Sequence, residues 1–142
     1  MRNIRYRAGY KYQLSDSYSV GVTICPEYDI DTDYIGLTRN GLLSIEKGYA
    51  WDGPSGPTVD TPSFMRGSLI HDSLYQLIRE GNLSEEDREA ADLELHRICL
   101  EDGMSRLRAW WVWRGVRLGG GPAADPKNER PVLTAPEEVR QV

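Results

Sequence analysis

Apolar and polar residues alternate along the first third of the chain. Ile4, Tyr6, Ala8, Tyr10, Tyr12 and Leu14 interleave with Arg5, Arg7, Gly9, Lys11 and Gln13, the period of a strand with one covered face. Tyr18, Val20, Val22 and Ile24 repeat the pattern against Ser19, Gly21 and Thr23, and Pro26 ends it by removing a ladder donor. Residues 34–38 and 42–47 flank Asn40-Gly41, a pair that tolerates the positive φ angles of a tight hairpin. Residues 4 to about 48 therefore predict a small antiparallel sheet.

Beyond residue 60 the spacing turns helical. Thr61-Pro62 offers a capping hydroxyl and then a proline for the first turn, which predicts a helix over about 63–79. Gly81 and Asn82 end it, and Ser84 with Asp87 makes a variant capping box for a second helix to about residue 101. Gly103 closes that helix, and a third is predicted over about 105–118. The expected class is α+β: an N-terminal antiparallel sheet, a helical hairpin and a third helix rich in Trp and Arg. The expected organisation is one domain over 1–118, with a sheet part at 1–48, a Gly/Pro loop at 49–62 and a helical part at 63–118. Residues 119–142, rich in Gly, Pro and polar residues, read as a loose tail.

With 142 residues, 39% of them hydrophobic, the chain can bury a real core. A formal charge of −5 argues against general affinity for nucleic acid, which needs a basic surplus to neutralise phosphate. Cys25 and Cys99 are too few for a disulfide framework and have no zinc-ligand spacing, so both are expected as packed, reduced thiols. The first twenty residues hold Arg2, Arg5, Arg7 and Lys11 without an apolar stretch, so no signal peptide is expected. No run approaches the ~18 apolar residues of a spanning helix, so no transmembrane segment is expected either.

The chemistry concentrates in the helical part. His71 precedes the turn at Gly81-Asn82 by about as many residues as Asp92 follows it, so a short-linked antiparallel hairpin sets the two level. Tyr75, one turn beyond His71, shares its stripe, whereas Asp72 points about 100° away. An imidazole held on one nitrogen by a buried carboxylate keeps the other nitrogen for a proton. Asp92 is the candidate carboxylate. Asp72 could hold a hard cation together with carbonyls of the loop over 49–60, where Asp52, Gly53 and Asp60 stand among two prolines and further glycine. Asp52 and Asp60 could be ligands, but aspartate beside Gly or Pro is more often a turn residue bonding its own backbone.

The order of a Gly/Pro loop, His71-Asp72-x-x-Tyr75 and Ala91-Asp92 resembles phospholipase A2, in particular the disulfide-free domain of parvovirus capsid proteins, over about residues 49–100. That resemblance implies His71 as the base that activates water, Asp92 orienting it, Tyr75 supporting Asp92, and calcium held by Asp72 with Asp52, Gly53 and the loop. Two departures stand out. The phospholipase loop reads Tyr-x-Gly-x-Gly, whereas Tyr49 is followed by Ala50, Trp51, Asp52 and Gly53, and the cysteines flanking the motif in secreted members are Ile70 and Leu74. Over most of its length the chain is similar to a short phage and prophage family of unknown function that shares Trp51-Asp52-Gly53-x-Ser55, His71-Asp72-x-x-Tyr75 and Ala91-Asp92. That similarity implies a phage source and a place in the host cytoplasm or the virion.

Two readings stay open. One is a calcium-assisted, phospholipase A2-like ester hydrolase with a His/Asp dyad. The other is a non-enzymatic phage protein, a virion component or host-interaction factor, whose His/Asp/Tyr cluster merely pins helix to helix. A His-Asp phosphohydrolase would need further histidines upstream, and the one other histidine is His96. Ser55, Ser68 and Ser73 lack the setting of a nucleophile elbow. The third helix carries Arg106, Arg108, Trp110, Trp111, Trp113, Arg114 and Arg117 without an acid. Arg108, Trp110, Trp111 and Arg114 are the candidate interface, to a phospholipid surface or another phage protein; the alternative has the tryptophans filling the core. Three tryptophans in four positions cannot share one helical face, so at least one is expected to be exposed or covered by another subunit.

Overall fold

The computed structural model describes residues 6–7, 12–51 and 62–124, the side chains over 12–51 and 62–119. They form an α+β protein with sheets first and helices after, in two compact units divided between residues 56 and 57.

The first unit is antiparallel throughout. β1 (Tyr6–Arg7), β2 (Tyr12–Leu14) and β7 (Ala50–Trp51) make a three-stranded sheet in the order β1-β2-β7. β3 (Tyr18–Gly21), β4 (Ile30–Asp31), β5 (Ile35–Leu37) and β6 (Leu42–Ile45) make a four-stranded sheet in the order β3-β6-β5-β4. Side-chain parity follows the alternation over most of the strands: Leu14, Tyr18, Ile24, Ile35, Leu37, Leu43 and Ile45 are buried, whereas Gln13, expected on the open face, is buried beside half-covered Tyr12.

The single strand expected from Ile4 to Leu14 is instead divided into β1 and β2, with Tyr6 paired to Leu14 and Arg7 to Gln13 in antiparallel register. Alternation survives a chain reversal, so the pattern could not reveal the turn. Ala50 and Trp51, read as the start of an irregular loop, are buried and pair with Gln13 and Tyr12. The tilted Tyr12 and Trp51 rings lie 5.7 Å apart. Cys99 is buried as expected, whereas Cys25 is exposed, having the opposite parity to buried Ile24.

The predicted hairpin joins β5 to β6, with Leu37 opposite Leu43. Gly41 has φ +85°, and a Cβ there would stand 2.5 Å from the Val22 carbonyl oxygen. Gly41→Ala therefore meets both left-handed strain and a backbone clash. It is expected to cost roughly 2 kcal/mol, read as a lower urea midpoint with an unchanged slope; a variant as stable as the parent would contradict this turn geometry.

The second unit holds α1 (Pro62–Arg79), a 3-10 turn (Glu85–Asp87), α2 (Arg88–Glu101) and α3 (Arg106–Ala124). Gly81, at φ +84°, ends α1: its N–H donates to Ile78 and that of Asn82 to Leu77, the satisfied carbonyls of a Schellman stop. The Asp87 carboxylate accepts from the Ser84 N–H at 3.0 Å, so the expected cap is present, one short turn before the α-helix proper. α3 runs on to Ala124 instead of stopping near Leu118. Glycine costs about 1 kcal/mol per residue in a helix but does not forbid one.

At the far end of the hairpin Arg66, buried near the start of α1, donates to both Asp102 oxygens at 3.0 Å and to Glu101 at 2.6 Å. These bonds tie the beginning of α1 to the end of α2. Phe64, Leu95, Cys99, Met104 and Ala109 form one core, with Leu100, Val112 and Val116 against it. Gly67 permits a close approach in the same region, since a Cβ would stand 3.0 Å from both Cys99 Sγ and Leu95 Cδ1.

Candidate active site

The antiparallel hairpin brings His71 of α1 level with Asp92 of α2, as the count about the turn predicts. His71 Nε2 lies 2.7 Å from Asp92 Oδ1. An ionised carboxylate can only accept, so the proton of this bond sits on Nε2. Tyr75 donates its hydroxyl to the same Oδ1 at 2.6 Å, with its ring centroid 4.1 Å from that of His71. The imidazole is thereby fixed from two directions.

Arg117 of α3 donates from Nη1 to Asp92 Oδ2 at 2.7 Å. In sequence this arginine is one of the basic residues of the third helix, outside the four candidate interface positions, and its bond to the dyad is not foreseen. One signal was available: a carboxylate buried on a helix requires a compensating cation. Arg117 stands where α3 turns from its Trp110 and Trp111 side toward its packed side. Asp92 is 0% exposed and His71 7%, so all three donors act in a region poor in water, where charge-assisted bonds are strongest.

The electrostatics follow from this packing. For Asp92, burial pushes its pKa up, but hydrogen bonds from His71, Tyr75 and Arg117, with the charge of His71, outweigh burial and hold it below the ordinary 3.8. For His71, burial is the largest influence and pushes down; the carboxylates of Asp72 and Asp92 together outweigh it and set the pKa above 6.5. Burial first and the neighbouring Asp92 second push the Tyr75 phenol up, so it stays a donor. Burial also pushes the Cys99 thiol up to about 12, which removes it as a nucleophile near neutrality.

The second imidazole nitrogen, Nδ1, faces the half-exposed Asp72, whose Oδ1 is 3.9 Å away. That is too long for a direct bond, and Nδ1 has no hydrogen-bond partner among the described residues. Of the expected calcium ligands, Asp72 is described and supplies a hard carboxylate oxygen of the type calcium takes. Asp52 and Gly53 lie outside the described residues, as does the loop over 52–61. Among the described residues no three His, Cys, Asp or Glu side chains converge as a metal site.

The candidate interface residues separate. Trp110 and Trp111 are exposed, at 41% and 59%, with rings edge to face 4.9 Å apart. The Arg114 guanidinium stands 5.6 Å from the Trp110 centroid. Arg108 and Trp113 are half-buried on the flanks, so the tryptophans divide between two faces as their spacing requires.

In the first unit, a depression of about 760 Å³ is lined in part by Asp29, Asp31, Asp33 and Glu46. Its lining holds neither imidazole nor thiol. No helix among the described residues is long and apolar enough to cross a membrane. Comparison with protein-family models, with curated proteins and with solved structures returned no match.

Proposed function

We propose that this chain is an ester hydrolase of the phospholipase A2-like type, in which His71 is the general base and Asp92 its positioning carboxylate. One observation carries the reading: Nε2 is committed to a buried, charge-compensated aspartate, while Nδ1, 3.9 Å from Asp72, makes no hydrogen bond among the described residues. In the proposed step Nδ1 takes a proton from water as the water oxygen bonds to the acyl carbon. The acyl–oxygen bond then breaks, and His71 returns the proton to the leaving alcohol. Tyr75 and Arg117 keep Asp92 ionised and oriented without touching substrate. Calcium, if held by Asp72, would polarise the ester carbonyl. A phage or prophage source, with residence in the host cytoplasm or the virion, accompanies this proposal through the likeness of the two motif helices.

The test is fatty-acid release from phospholipid vesicles and from a soluble short-chain ester, with calcium or with chelator, comparing the parent with His71→Gln. Equal release by the two proteins would remove the catalytic role. The second reading, a non-enzymatic phage protein, draws support from the way Asp92 ties all three helices together. It is favoured if neither protein hydrolyses either ester, His71→Gln melts well below the parent and calcium raises neither melting temperature.

A further inference from the structure

We infer that the outer face of α3 is a docking surface for an anionic lipid bilayer. Leu107, Trp110, Trp111, Arg114 and Leu118 follow one another at steps of three, one, three and four residues, a single stripe along about 16 Å of helix. All five are exposed, Leu107 at 68% and Leu118 at 76%. The stripe is separate from the face that holds the unit together, where Ala109, Val112 and Val116 pack on Phe64, Leu95, Cys99 and Met104. α3 is thus apolar on two faces, and its inward face is fully accounted for. Isolated exposed leucines are ordinary on a protein surface; four large apolar side chains in one row are not.

Charge decides the occupant. The chain carries −5 overall, yet α3 has no acid, and besides Arg117, which is paired with Asp92, it holds Arg106, Arg108 and Arg114. Exposed Arg106 and Arg114 lie on or beside the stripe. A second copy docking through the same face would set arginine against arginine, whereas an anionic bilayer presents phosphate to the guanidinium groups. Indoles suit the boundary between headgroup and acyl chain, being apolar in body and polar at the N–H. The Trp110–Trp111 pair with Arg114 over the first ring places both kinds of contact side by side. Because α3 is not apolar enough to cross a bilayer, the docking is to its surface. The inference does not depend on the hydrolase reading, since it uses no residue of the dyad.

The experiment is co-sedimentation of the full chain with vesicles of phosphatidylcholine alone or mixed with phosphatidylglycerol, with tryptophan emission followed in parallel. The parent is expected to bind the mixed vesicles, to bind pure phosphatidylcholine at least about tenfold more weakly, and to be released by salt. Trp111→Ser with Leu118→Ser, and separately Arg114→Gln, should each weaken binding about tenfold with unchanged circular dichroism, while His71→Gln binds as the parent does. A parent that stays in the supernatant, or variants that sediment equally with it, would overturn the assignment. A concentration-dependent dimer abolished by Trp111→Ser, with no vesicle binding, would overturn it in favour of self-association.

Discussion

Asp92→Ala is expected to cost the helical unit roughly 3–5 kcal/mol, because it removes the acceptor shared by two buried donors and a half-buried arginine. Arg117, His71 and the Tyr75 hydroxyl all end on this carboxylate, which has no exposed surface. Arg117 keeps 25% of its side chain exposed and can recover part of its hydration, which places the loss toward the lower end of that range. In melting temperature this is on the order of 10–20 °C, measured by differential scanning calorimetry or as a lower urea midpoint. Asp92→Asn should cost less, since the amide preserves volume and one acceptor, but its NH2 group must face a donor. A loss below about 1 kcal/mol for Asp92→Ala would mean that this carboxylate is not the hub of the three helices.

The same cluster makes stability depend on pH. Asp92 has a lowered pKa in the fold, so its contribution is present above the ordinary carboxylate range and lost as pH falls through the folded value. His71 has a raised pKa. Its contribution is complete below 6.5 and lost as pH rises through the folded value. The cluster therefore stabilises most in mildly acid solution. Urea titrations of the parent minus those of His71→Gln should show the difference shrinking above neutrality; a difference that grows with pH would reverse the assigned direction.

The second large effect is on catalysis. His71→Gln is expected to lower the rate of ester hydrolysis by about 10²–10⁴-fold, the usual contribution of a positioned general base. Glutamine can still donate an amide hydrogen toward Asp92, but it has no nitrogen able to take a proton. Because the base must be neutral and its pKa lies above 6.5, kcat/KM for the parent should rise with pH through a limb above that value. The rate therefore climbs where the stabilising charge on His71 is being lost. Tyr75→Phe deletes one bond to Asp92 and leaves the base, so its effect should be smaller than that of His71→Gln. A rate that is flat from pH 5 to pH 9 would separate His71 from the chemical step.

The order of residues along the chain by itself determined the class of fold and the pairing of the dyad. Strand parity, the Asn40-Gly41 turn and the helix stops at Gly81 and Gly103 are local matters, set by side-chain period and by φ angles that few residues adopt. His71 and Asp92 meet because a short turn between antiparallel helices leaves little freedom in their relative height. Tertiary structure alone decided what counting could not reach. The reversal between β1 and β2 depends on pairing, and alternation reads the same on both sides of a turn. Arg117 reaches Asp92 because packing of Ala109, Val112 and Val116 sets the rotation of α3. Which tryptophans stay outside follows from that rotation too, since a helix apolar on two faces leaves the choice of buried face to the core it packs against.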